Sequence, residues 1–286
     1  MNKSNPVIAR YISDDTVFET VCHDFEFLVE KIKKSGFEYS LEIREDYFNL
    51  YYQGNSIGKI IYHSSKKDYQ VSINEKFINK KINTYFTGRK VKNYIYFMVS
   101  PQRLPSFFSD ANLMSLSQMV KDENYQEEIG FEQMLMTDNV DRHDFVIIDR
   151  QVVDHSSREK IDLLGLKRVD GDSFQFCVLE VKLGKNAELR GDVSSQLKRY
   201  VKRIENHFKY YKLCYEKNFE QKQRLGLIEK INKVCIVPGV LGIVVVGGYG
   251  GLAKPSIKEL RDKDKDIHIL HIKNEIDFRK VEPKCF

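Results

Sequence analysis

Residues 174–182, Phe-Gln-Phe-Cys-Val-Leu-Glu-Val-Lys, constrain this chain more than any other stretch. From Phe176 onward only Glu180 and Lys182 interrupt a run that is apolar on both alternating faces, the pattern of a central strand buried on both sides. Desolvating a charge is expensive, so two ionisable groups on one face of such a strand need a reason. A second apolar run, Ile161-Asp162-Leu163-Leu164-Gly165-Leu166, precedes it, and Asp170-Gly171-Asp172 between them is a hairpin signal. A hairpin centred on Gly171 pairs residues whose numbers sum to 342, which sets Asp162 opposite Glu180. Opposed side chains share a sheet face about 5 Å apart. Glu180 and Lys182, two positions apart, share it too.

Two carboxylates side by side on an apolar strand repel one another unless a cation lies between them. A hard divalent ion such as Mg²⁺, with Mn²⁺ as a substitute, would take oxygen ligands from both. A neighbouring lysine could hold or activate a water, or stabilise charge developing on a phosphate. The plainer alternative is a structural Glu–Lys pair at a strand end with Asp162 in a turn.

Asp162 followed after a hairpin by Glu180-Val181-Lys182 resembles the core motif of the PD-(D/E)XK nuclease superfamily. Two further elements match. Upstream, Glu127-Glu128-Ile129-Gly130-Phe131-Glu132-Gln133-Met134-Leu135 is similar to the family's first helix, which offers a glutamate towards the metal. Phe131 and Leu135, at +3 and +7, favour Glu128, with Glu127 and Glu132 as competitors. Downstream, Gln196-Leu197-Lys198-Arg199-Tyr200 resembles the family's Gln-x-x-x-Tyr element, with Gln196 and Tyr200 on one side of a helix. The Asp is preceded by Ile161, where the family often has proline. The similarity spans roughly residues 120–250, and a strand at Ile148-Asp149-Arg150-Gln151-Val152 extends it to mismatch- and branch-directed endonucleases and to antiphage defence nucleases with an extra N-terminal domain. It implies an α/β, restriction-endonuclease-like mixed sheet flanked by helices. It also implies Mg²⁺ on Asp162, Glu180 and Glu128, with Lys182 and Gln196 completing the catalytic set, and DNA as the default substrate.

A helix is expected from Asp192 to Glu216, with an apolar stripe from Val193 through Leu197, Tyr200, Ile204 and Phe208 to Tyr215. Residues 196–233 hold eleven Lys or Arg against four acids, more than the whole chain's excess of +5. Beside a phosphodiester-cutting site, Lys198, Arg199, Tyr200, Lys202 and Arg203 make a candidate nucleic-acid footprint; a solvated helix face is the competing reading.

The first hundred residues differ in texture. Phe18, Val21, Cys22, Phe25, Leu28, Val29 and Ile32 fall at helical spacing, and Gly36 can end that helix. Short Tyr-, Phe- and Ile-rich strands follow, with a hairpin turn at Gly54-Asn55 and a linker at residues 101–106. The expectation is a small α+β domain with an antiparallel sheet over 1–110, for recognition or assembly, then the nuclease domain over 111–286. The tyrosines read chiefly as sheet packing.

No run of about 18 uncharged apolar residues is present, so no membrane partner is expected, and Met1–Pro6 lacks a secretory core. Five scattered cysteines (Cys22, Cys177, Cys214, Cys235, Cys285) and no Cys-x-x-Cys argue for a reducing cytoplasm. Neither the glycines after Val246 nor His268 and His271 make a convincing phosphate loop or metal pair. A homo-oligomer is compatible with the sequence. The rival functional reading is an inactive nucleic-acid-binding or protein-assembly subunit that keeps the nuclease fold.

Overall fold

The computed structural model describes residues 7–78, 86–123, 126–140, 142–157, 159–229 and 234–273; Met1–Pro6 and Cys285 lie outside them. It is α/β, with one antiparallel sheet and one mixed sheet, each faced by helices.

The N-terminal helical pattern forms two helices, α1 (Asp15–Asp24) and α2 (Glu26–Lys34), rather than one. Asp14 caps α1 by accepting the Thr16 and Val17 amides, and the chain breaks at Phe25, whose ring fills the core. Past α2 the chain turns at Gly36, where φ is +64°, a conformation glycine adopts without strain.

Six antiparallel strands follow: β1 (Tyr39–Arg44), β2 (Tyr47–Tyr52), β3 (Asn55–His63), β4 (Asp68–Asn74), β5 (Arg89–Val91) and β6 (Tyr94–Val99), in the order β1-β2-β3-β4-β6-β5. The β2–β3 turn is Gln53-Gly54, one residue earlier than expected. Both residues have positive φ (+41° and +72°), as a two-residue turn matched to strand twist requires. Leu50, Tyr69, Val71 and Phe97 pack beneath Phe18, Phe25, Leu28 and Ile32.

Residues 101–106 are not a linker. Pro101–Arg103 is a 3-10 turn leading into a short helix, α3 (Leu104–Phe107), and Leu104, Phe107 and Phe108 are buried in the first core. The prolines occupy helix-start positions, where a missing N–H costs nothing. Leu113, Leu116 and Val120 of α4 (Asp110–Glu123) join the same core.

After α5 (Glu127–Thr137), the second sheet comprises β7 (Phe145–Val152), β8 (Ile161–Asp170), β9 (Ser173–Leu183), β10 (Cys235–Gly247) and β11 (His268–Ile272). Its order is β11-β10-β9-β8-β7; β7, β8 and β9 run antiparallel, whereas β9, β10 and β11 are parallel. β9 is central. Phe174, Phe176 and Val178 pack on one face against Leu197, Tyr200 and Ile204, while Cys177, Leu179 and Val181 pack on the other with Phe131. That double burial accounts for its nearly unbroken apolar run.

The helix expected over 192–216 is two helices, α6 (Val193–Asn206) and α7 (Phe208–Leu225), broken at His207; α8 (Gly250–Lys263) follows β10. No helix among the described residues is long and apolar enough to cross a membrane.

The two sheets meet across a buried polar seam. Asp149 of β7 accepts from Arg44 at 2.5 Å and from the Tyr215 hydroxyl at 2.8 Å, with Arg10 at 3.5 Å. Lys222 donates to Glu42 at 2.6 Å and to the Ile148 carbonyl at 2.5 Å.

Candidate functional site

The β8–β9 register has the expected centring. Pairs from Leu163↔Leu179 to Arg168↔Phe174 all sum to 342. The turn is Gly171-Asp172, closed by Asp170↔Ser173, and a bulge between Arg168 and Asp170 brings the ladder into that register. Gly171 takes the left-handed conformation at φ +45°.

The ladder stops at Leu163. One residue further, the Asp162 side chain accepts the Val181 amide at 2.9 Å. Asp162 thus stands level with Glu180, and its carboxylate satisfies a backbone donor that the ladder leaves unpaired. The structure brings Asp162, Glu180 and Lys182 together. The Lys182 ammonium is 2.9 Å from Glu180 and from Glu188, and 3.9 Å from Glu128.

Glu180 is completely buried. Its Oε1 takes the Lys182 ammonium at 2.9 Å, and its Oε2 has no hydrogen-bond partner. Burial, followed by the charge of Asp162, pushes its acid up to about 8, against the pull of Lys182. Asp162 is pushed up to about 6, chiefly by burial and then by Glu128 and Glu188, while the Val181 amide and Lys182 oppose the rise. Burial alone would lower the Lys182 ammonium, but Glu180 and Glu188 outweigh it and hold the proton more tightly than usual.

The three glutamates of α5 have different fates. Glu127 points to Lys185 and the Tyr249 hydroxyl at the surface. Glu128 accepts the Leu183 amide at 3.3 Å and the Asn186 side chain at 3.1 Å, beside Lys182. Glu132 is buried, 3.3 Å from Arg150, and takes the Gln151 amide on both oxygens. Burial and then the charge of Asp162 raise its acid to about 7. Glu128 therefore acts on Asp162, and Asp162 acts on Glu132. Gln196 donates to Tyr200 at 2.7 Å, and the charges of Glu180 and Asp162 act on that phenol.

The basic helix needs correction in two places. Tyr200 is a core ring, 2% exposed, and offers no stacking surface. The Arg203 side chain is 9% exposed; its guanidinium lies over the Tyr200 ring and 3.8 Å from Asp154, so it does not stand opposite the apolar stripe. Lys198 and Arg199 are exposed and paired with Asp264 at 2.6 Å and Glu159 at 2.9 Å, and Lys202 is exposed.

Sequence reasoning placed Arg150 and Gln151 in a strand of the family motif without giving them a role, missed Glu188 and Asn186, and left Glu132 as a competitor. Glu132 had a signal, since it lies one turn beyond Glu128. The strand motif held Gln151, but not its place level with Asp162, because the β7–β8 connection carries no short turn from which to count register.

Comparison with protein-family models, with curated proteins and with solved structures finds no match. What the site can do is therefore read from its own residues. Among the described residues no set of three or more His, Cys, Asp or Glu side chains is gathered as around a metal; Lys182 is what joins the acids. The donor set nevertheless fits a hard cation. Glu180 offers a buried Oε2 without a partner and an Oε1 paired only with Lys182, and Asp162, beside it, has one oxygen committed to Val181. Buried orphan acceptors cost free energy unless something compensates them.

Proposed function

We propose that the chain is a metal-dependent nuclease that hydrolyses phosphodiester bonds, with DNA as substrate, and that its second sheet is a restriction-endonuclease-like core. The observation that carries this reading is Glu180, a fully buried carboxylate with a free Oε2, level with Asp162 and 2.9 Å from the charged Lys182.

Asp162, Glu180 and Glu128 would hold Mg²⁺ or Mn²⁺, all three being oxygen donors of the kind hard cations prefer. When bound, such an ion polarises a phosphoryl oxygen and makes water a better nucleophile at neutral pH. Lys182 keeps its proton, so its contribution is electrostatic: an ammonium held by Glu180 and Glu188, able to donate to an attacking water or to a phosphate oxygen. The Asp162–Val181 contact fixes the aspartate on the strand end, so its rotamer is set before any ligand arrives. Gln196 and Tyr200 border the acids from α6.

Incubating purified protein with linear, nicked, branched and single-stranded DNA, and with RNA, in each divalent metal tests this directly. Strand cleavage in Mg²⁺ or Mn²⁺ that stops in chelator is expected. Metal-independent binding without turnover on every substrate would instead favour an inactive nucleic-acid-binding subunit.

A further inference from the structure

Gln151 is a strand residue in the wrong backbone conformation. Its φ is +51°, in the left-handed region that non-glycine residues avoid. Such a residue costs on the order of 1 kcal/mol or more and persists only where its surroundings impose it. Register shows where it stands. β7 and β8 pair Arg150↔Leu163 and Val152↔Ile161, which sets Gln151 level with Asp162. Glu180, Asp162 and Gln151 therefore form one row across three neighbouring strands.

What the row gains is on the next helix. The Gln151 amide donates to both oxygens of Glu132, at 3.2 and 3.4 Å. Glu132 is 3% exposed and is held from behind by Arg150, which is itself fully buried, donates to Gln133 at 2.6 Å and lies over the Tyr51 ring. Arg150 fixes one side of the Glu132 carboxylate, and Gln151 reaches it from the Asp162 row. A glycine at 151 would remove the strain and leave the strand intact, so strand pairing does not account for a glutamine here.

We propose that Gln151 is a positioning residue: it holds the Glu132 carboxylate at the end of the Glu180–Asp162–Gln151 row and thereby sets the site's affinity for its cation and its turnover. The proposal rests on the nuclease reading above. Groups that orient a metal site's acids typically change metal affinity or activity by about 10–100-fold when removed.

The test compares wild type with Gln151→Gly, which relieves the backbone, and Gln151→Asn, which tolerates it but is one methylene too short to reach Glu132 in the same way. Thermal melting in chelator, Mn²⁺ titration by calorimetry and steady-state cleavage are measured on each full-length chain. A cooperative melt near that of wild type is expected, strain relief and the lost Glu132 contact offsetting one another, with Mn²⁺ affinity and kcat reduced about tenfold or more and KM for DNA little changed. Variants with Mn²⁺ affinity and kcat within about twofold of an active wild type would overturn the proposal and leave the nuclease reading standing. Loss of a cooperative melt in both variants would also overturn it, since Gln151 would then serve the fold. A wild type that neither binds Mn²⁺ nor cleaves would remove the nuclease reading itself, and this proposal with it.

Discussion

The Asp162 carboxylate accepts the Val181 amide at 2.9 Å, one position past the last rung of the β8–β9 ladder. A side chain thus takes over from the backbone where the two strands stop pairing. The same hydrogen bond brings the acid beside Glu180, whose Oε1 meets Lys182 and whose Oε2 has no hydrogen-bond partner. Strand-end geometry and the charge cluster are one feature, and its consequences can be measured.

Asp162 and Glu180 keep their protons to about pH 6 and about pH 8, above the ordinary carboxylate range. The folded protein thus binds more protons than the unfolded chain between about pH 4 and pH 8. Stability from these groups is complete below about pH 4 and is lost as pH rises through their folded values. In chelator, melting temperature should fall from pH 5 to pH 8.5, and Asp162→Asn should recover roughly 1–3 kcal/mol at the upper end. Mg²⁺ should recover much of the same loss in wild type. A flat profile, or an Asp162→Asn protein less stable than wild type at pH 8, would contradict the charge cluster.

At the seam between the sheets, Asp149 is buried against Arg44, Arg10 and Tyr215. Burial raises its acid, yet Arg44, Arg10 and Lys222 overcome that and hold it below the ordinary range. Removing it strands a buried Arg44 guanidinium. Asp149→Ala should therefore cost about 3–5 kcal/mol in urea unfolding, far more than an exposed substitution. A loss under about 1 kcal/mol would mean that the seam is wet or loosely packed.

Much of the site was legible because its logic is local. Asp162, Glu180 and Lys182 lie on one hairpin, so a turn signal and a count of residues place them together; the bulge near Val169 compensates the two-residue turn. The doubly buried β9 was legible for the same reason. The helix break at His207, the helical run at 101–107 and the inward turn of Arg203 were not, because each depends on what packs against the segment. Arg203 sits at a position that counts as polar on a helical wheel, but Tyr200 and Asp154 draw it in. The strand holding Arg150 and Gln151 was legible, but their roles were not, because a long connection separates β7 from β8, and Tyr51, which Arg150 covers, comes from the other sheet.

The exposed cations of α6 should supply affinity rather than chemistry. Replacing Lys198, Arg199 and Lys202 together should lower the log–log salt slope of DNA binding by roughly one unit for each phosphate that is no longer neutralised. Single-turnover cleavage at saturating protein should change little. Identical slopes for wild type and the triple variant in a filter-binding salt series would show that these residues are a solvated face, paired with Asp264 and Glu159 and nothing else.

Single-turnover DNA cleavage by wild type, Asp162→Asn and Lys182→Ala, in Mg²⁺ and in chelator, tests the central claim most directly. Circular dichroism on each protein confirms the fold beforehand. The account predicts cleavage by wild type in Mg²⁺ alone, and a loss of about a hundredfold or more in each variant. Cleavage that persists in chelator, or that survives undiminished in either variant, would contradict it.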